Sequence, residues 1–121
     1  MPSDAQQTQR RRRDLRDQLR DLALAPLMRG SLVERARRCG RSNCACASDP
    51  ARRHRGMFLT VQLDGRTHAM HVRPDDEPRV RAAIAGYAKL WTLINELTVC
   101  ELSDLKRQAR QRRRARERRG H

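Results

Sequence analysis

The spacing of apolar positions changes character along the chain. Leu15, Leu19 and Leu22 recur at i, i+4 and i+7 and share one stripe, the mark of an amphipathic helix. Arg10, Arg11, Arg12, Arg13, Arg16 and Arg20 fall largely on other faces, and Pro26 ends the element. The reading is a basic amphipathic helix over 10–26 behind a polar, disordered terminus, 1–9. Residues 31–36 then read as a short strand feeding the cysteine loop, with a helical turn as the alternative that periodicity leaves open. From residue 57 the period drops to two. Met57, Leu59, Val61 and Leu63 alternate with Phe58, Thr60 and Gln62, and a second run covers 67–72. Asp64-Gly65 between the runs is the signature of a two-residue hairpin turn. That turn sets Val61 opposite His68, Leu59 opposite Met70 and Met57 opposite Val72. One face is then apolar, and the other carries Phe58, Thr60, Ala69 and His71. A lone hairpin is marginal, so the apolar face needs a cover.

The next element is the natural cover. Pro74 closes the hairpin, and Asp75-Asp76-Glu77-Pro78 places acidic residues where a helix start favours them. Val80, Ile84, Tyr87, Trp91, Ile94 and Thr98 follow at steps of three and four, flanked by Leu90, Leu93, Leu97, Leu102 and Leu105. A helix from about residue 76 to 117 would span about 60 Å, longer than a globule of this size covers. Part of it must lie on a second chain, on nucleic acid or on the N-terminal helix. Cys100 inside it reads as a small apolar residue. Residues 106–121 form a polybasic tail, helical along a polyanion or disordered without one. The expected fold is α+β: a β-hairpin or three-stranded sheet with a Cys/His knuckle, packed on a long C-terminal helix within 28–105, plus the N-terminal helix.

Charge sharpens this picture. The chain of 121 residues carries a net charge of +14. Residues 1–30 hold 7 basic against 4 acidic side chains, 31–73 hold 9 against 3, 74–105 hold 3 against 6, and 106–121 hold 9 against 1. The positive charge is thus concentrated in blocks, and nearly all of it is arginine, whose planar fork suits phosphate. Polyanion binding is the first expectation, with nucleic acid ahead of a membrane surface and DNA ahead of RNA. No apolar run approaches the length of a membrane span, and no apolar leader opens the chain. A cytoplasmic protein is expected.

Three thiols and an imidazole lie close together as Cys39-x4-Cys44-x-Cys46-x7-His54. Such soft and borderline ligands can close a tetrahedral shell around Zn²⁺. Alternate side chains of an extended segment point the same way, which would aim Cys44 and Cys46 at one ion. Gly40 can take the positive φ that a bend around an ion requires. Free thiols in a reducing compartment, or one disulfide with a thiol left over, are the competing readings. Loop economy selects His54 as fourth ligand, with His68 and His71 as the alternatives. The chain holds one Phe, one Tyr and one Trp, so a metal staple would help a sparse core.

The run Gly30-Ser31-Leu32-Val33-Glu34-Arg35, then Arg38-Cys39-Gly40, Asn43-Cys44-Ala45-Cys46 and His54 ahead of a Gly, a Phe and a strand, resembles a family of small prokaryotic proteins known as a domain of unknown function. The resemblance covers residues 28 to about 105. Members often carry an aromatic residue where this chain has Ala36, and His-Gly-Pro-Tyr where it has His54-Arg55-Gly56-Met57. The resemblance implies a Cys/His knuckle, a hairpin and a long helix, with no established activity.

The functional expectation is a nucleic-acid-binding accessory protein rather than an enzyme. A closed Cys3His shell offers no open metal position, and the acids at 75–77 are explained by a helix start. Arg35, Arg37, Arg38, Arg41, Arg52, Arg53 and Arg55 ring the knuckle as one phosphate-facing patch. Lys106, Arg107, Arg110, Arg112, Arg113, Arg114 and Arg116 supply a second. With so few aromatics, backbone recognition is expected over base stacking. The alternative is a protein-interaction module whose long helix forms a homodimer or docks on a larger DNA-processing protein.

Overall fold

The computed structural model describes residues 1–120. It contains helix α1 (Asp4–Ala23), strands β1 (Ser31–Arg37), β2 (His54–Leu63) and β3 (Arg66–Val72), and helix α2 (Glu77–Arg119). Two 3₁₀ turns, Ala45–Ala47 and Pro50–Arg52, lie between β1 and β2. The chain divides into two compact units. Residues Pro26–Tyr87 form a sheet unit, and Met1–Ala25 with Ala88–His121 form a helical unit.

In the sheet unit the three strands form an antiparallel meander in the order β1-β2-β3. The hairpin register follows the turn chemistry: Asp64 and Gly65 take φ values of 51° and 75°, the left-handed pair of a type I′ turn. Met57, Leu59 and Val61 pair with Val72, Met70 and His68 as the alternation predicts. Leu59 and Val72 are buried. They share an apolar groove with Met28 and with Val80 and Ala83 from the first turns of α2, and the Met28 N–H donates to the Ala83 carbonyl at 3.1 Å. Gly30 keeps the entry to β1 uncrowded, because a Cβ there would stand 3.0 Å from a Leu59 methyl.

In the helical unit α1 starts at Asp4, so the disordered terminus expected over 1–9 is corrected. A capping box holds it: Ser3 Oγ accepts from the Gln6 N–H at 3.2 Å, and the Ser3 N–H donates to Gln6 Oε1 at 2.9 Å. The more sheltered positions of α1 are 5, 8, 12, 15, 19 and 22, alternating steps of three and four that make a coiled-coil seam. Leu15 is fully buried against Leu93 and Cys100, with Leu19, Leu22 and Leu97 around them. Arg11 pairs with Glu96 at 3.1 Å, and Arg12 pairs with Glu101 and Asp104. The N-terminal end of α1 (Asp4, Gln7, Thr8) lies by Ser103 and Arg110, so the two helices run antiparallel. The apolar stripe through Val80 and Leu105 is therefore not one buried face. Within this unit Leu93, Leu97 and Cys100 are covered, whereas Trp91, Ile94, Leu102 and Leu105 are exposed. Among the described residues no helix is long and apolar enough to cross a membrane.

Candidate metal centre

β1 and β2 pair up to Arg37 opposite His54, so the 38–53 loop leaves and re-enters the sheet at one clamped end. This places the imidazole: His54 is the first residue of β2 rather than part of the loop. Cys39 follows two residues after β1, and Gly40 turns the chain with φ of 88°. Cys44 is extended, with φ −87° and ψ 141°, and caps the first 3₁₀ turn, which contains Cys46. The expectation that Cys44 and Cys46 alternate along one extended segment is corrected, because a tight turn and not a strand brings the two sulfurs together. The second turn is capped by Asp49, whose Oδ1 accepts from the Ala51 N–H at 3.0 Å.

The four ligand atoms of Cys39, Cys44, Cys46 and His54 lie within 4.8 Å of one another, close enough to hold a metal ion. Cys39 and Cys46 Sγ are 3.5 Å apart, and Cys44 Sγ is 3.3 Å from His54 Nε2. A tetrahedral shell with bonds of about 2.0–2.3 Å has ligand-to-ligand edges of about 3.5 Å between sulfur and nitrogen and about 3.8 Å between sulfurs, and each of the two distances lies within about 0.3 Å of its edge. Of the alternatives, His68 pairs with Val61, and His71 stacks edge-on against Phe58 at 5.3 Å. The three clustered thiols and Cys100 are all free.

Burial grades the ligands from inside to out. Cys46 has no exposed surface, Cys44 is half-buried, and Cys39 and His54 are exposed. A cleft lined by Cys39, Arg41, Asn43, Cys44 and His54 opens to solvent. The Cys44 thiol is lowered to about 6, foremost by the Cys46 backbone N–H and then by His54, Cys46 and Cys39. The Cys39 N–H, donating at 3.3 Å, favours the Cys46 thiolate. Burial and the neighbouring Cys44 and Cys39 sulfurs outweigh it and push the Cys46 thiol up. A cation at the centre would compensate the clustered negative charge.

The predicted arginines divide between the two units. Arg35 and Arg37 stand on β1, Arg38 and Arg41 in the loop, Arg52 and Arg53 at the second 3₁₀ turn, and Arg55 on β2. Among the described residues Arg35, Arg37, Arg38, Arg41 and Arg53 form no ion pair, whereas Arg52 pairs with Asp49 and Arg55 with Glu34. Lys106, Arg107, Arg110, Arg112, Arg113, Arg114 and Arg116 lie on α2, which stays helical to Arg119, and every residue of 108–120 is exposed. Arg107 is bound to Asp104. Two features were missed in the sequence. The Arg37 guanidinium lies over the Phe58 ring at 5.3 Å, and the His71 ring crosses above Gly56, where a Cβ would meet its Nε2 at 3.0 Å. Their strand alternation, Arg37, Phe58 and His71 on one face, was the available signal.

A family model described as Domain of unknown function (DUF6788) matches residues 5–82. The chain belongs to this family. The DUF6788 match takes in α1, the knuckle, the sheet and the first turns of α2, so it begins earlier and ends earlier than the 28–105 span of the sequence resemblance. No curated protein and no solved structure matches the chain.

Proposed function

We propose that this protein is a nucleic-acid-binding accessory protein in which a structural zinc ion fixes an arginine patch. The supporting observation is the junction of β1 with the metal loop. The same register pair that presents His54 to the ligand cluster puts Arg35 and Arg37 beside it, with Arg38 and Arg41 following, and none of the four has a carboxylate partner. Guanidinium groups without a carboxylate partner on a rigid base are what phosphate oxygens recognise. Zinc suits three thiolates and one imidazole better than magnesium, calcium or manganese does, and four protein ligands leave it a structural role.

Basic side chains exposed on all faces of α2 beyond Arg107 supply the second phosphate contact. Recognition is of backbone charge, DNA before RNA, with little reading of bases. The test is fluorescence anisotropy with duplex DNA and duplex RNA from 50 to 200 mM salt. Neutralising six or more phosphates lowers affinity by about 10³-fold or more over that range. An affinity that barely moves with salt overturns the reading.

A further inference from the structure

We propose that the exposed apolar stripe of the helical unit is the two-fold interface of an antiparallel homodimer. The inference does not rest on the nucleic-acid reading. Burial of Leu93, Leu97 and Cys100 by α1 leaves a different face of α2 in solvent. On it Trp91 is 54% exposed, Ile94 38%, Leu102 48% and Leu105 59%. With Thr98, these residues follow one another at steps of three, four, four and three, so they share one side of the helix.

That order is a palindrome. Trp91 and Leu105 lie seven residues either side of Thr98, and Ile94 and Leu102 lie four. A two-fold contact requires that residue i meet j while j meets i. Antiparallel pairing centred on Thr98 meets this at every position: Trp91 on the other chain's Leu105, Ile94 on its Leu102, and Thr98 on its equivalent. The centre is small enough for two helices to approach closely. Thr98 also brings no orphan donor into the contact, because its Oγ1 already donates to the Ile94 carbonyl at 2.8 Å.

The symmetric spacing about Thr98 selects a second copy as occupant, and charge selects the antiparallel arrangement. Residues 106–121 hold 9 basic against 1 acidic side chain. Parallel pairing would lay two such tails side by side, within a Debye length of each other. Antiparallel pairing sends them off opposite ends of the contact.

The test is sedimentation equilibrium of the full chain at physiological salt. The expected mass is twice the 14.1 kDa of one chain, falling to the single-chain mass in Leu102→Glu with helicity and bound metal unchanged. Leu105→Arg, at the most exposed aliphatic position of the stripe, must give the same loss and guards against a folding defect in the first variant. Register is read by cross-linking Thr98→Cys and Leu105→Cys variants with a short bismaleimide and mapping the products by mass spectrometry. Thiols at 98 join to each other, and thiols at 105 do not. A single-chain mass at all concentrations, a dimer that survives both charge variants, or self-joining at 105 overturns the proposal.

Discussion

Arg12 of α1 reaches across the helical seam to Asp104 of α2, and its Nε donates to Glu101 at 2.8 Å. The pair occupies a seam position between Thr8 and Leu15 where an apolar side chain would pack, and Arg107 closes over Asp104 from the other side. A polar group at one core position of a coiled coil fixes register at some cost in stability. The contrast is Arg11 and Glu96, one residue away, whose side chains are 51% and 42% exposed against 15% and 18% for Arg12 and Asp104.

Arg12→Ala therefore lowers the thermal midpoint of helicity clearly more than Arg11→Ala does, since exposed pairs contribute little. Arg12→Leu with Asp104→Leu recovers the midpoint, yet it removes the device that sets register, and it broadens the amide spectrum of the seam. Equal midpoints for the two single alanine variants would show that the triad carries no structural weight.

The same pair sets an acid limit. The guanidinium groups of Arg12 and then Arg107 hold the Asp104 carboxyl below its ordinary value of 3.8. A carboxylate lowered in the folded state contributes stability that is complete above the unfolded value and is lost as pH falls through the folded one. Asp104 thus leaves the thermal midpoint flat between pH 7 and 5 and contributes to its fall below about pH 4. Asp104→Asn lowers the midpoint at neutral pH and converges on the parent chain in acid. The difference between the two curves isolates this group from every other acid-sensitive part of the chain. Parallel curves across the whole range would refute the assignment.

Much of the fold is legible in the sequence because it follows from short-range rules. The Asp64-Gly65 turn and strict alternation determine which residue faces which across β2 and β3. The pairing of α1 with α2 is less legible because the seam of α1 includes Thr8 and Arg12, which do not register as apolar, so the apolar stripe of the sequence begins at Leu15. The Ser3 and Gln6 capping box was the available cue to an earlier start. On α2 the more apolar side passes through Trp91 and Leu102. Burial instead follows the side that carries Leu93, Leu97 and Cys100 together with Asp104, the carboxylate that the sheltered Arg12 requires. The candidate metal ligands were legible as chemistry, while their geometry was not: a 3₁₀ turn at Cys46 and the strand pair Arg37 with His54 do the positioning.

The centre predicts which cysteines matter. Elemental analysis of protein purified without a metal-affinity tag gives one zinc per chain, and Cys46→Ala abolishes it, since the one fully buried ligand cannot be replaced by solvent. Cys100→Ala keeps the zinc and costs the helical seam about 1 kcal/mol. After chelation, alkylation at neutral pH modifies Cys44 first, with a reactivity midpoint near pH 6. Full zinc content in Cys46→Ala would remove this residue from the ligand set.

The division of the arginines between two units yields the last prediction, because each set should weaken binding by its own amount. Arg35 and Arg38 have no carboxylate to return to, so replacing both with alanine removes two phosphate contacts and reduces the slope of log affinity against log salt by about 1.8. Arg52 and Arg55 lie 3.6 and 3.5 Å from Asp49 and Glu34, exposed pairs that phosphate must displace, so their double replacement changes the slope by less. Ending the chain at Leu105 removes nine basic side chains against one acidic and reduces the slope further than either pair. It leaves zinc content unchanged, since the ligands sit in the other unit. The order tail, then Arg35 with Arg38, then Arg52 with Arg55 follows from which cations lack a partner within the chain. Equal effects from the two arginine pairs would show that intramolecular ion pairing does not decide which cations reach phosphate.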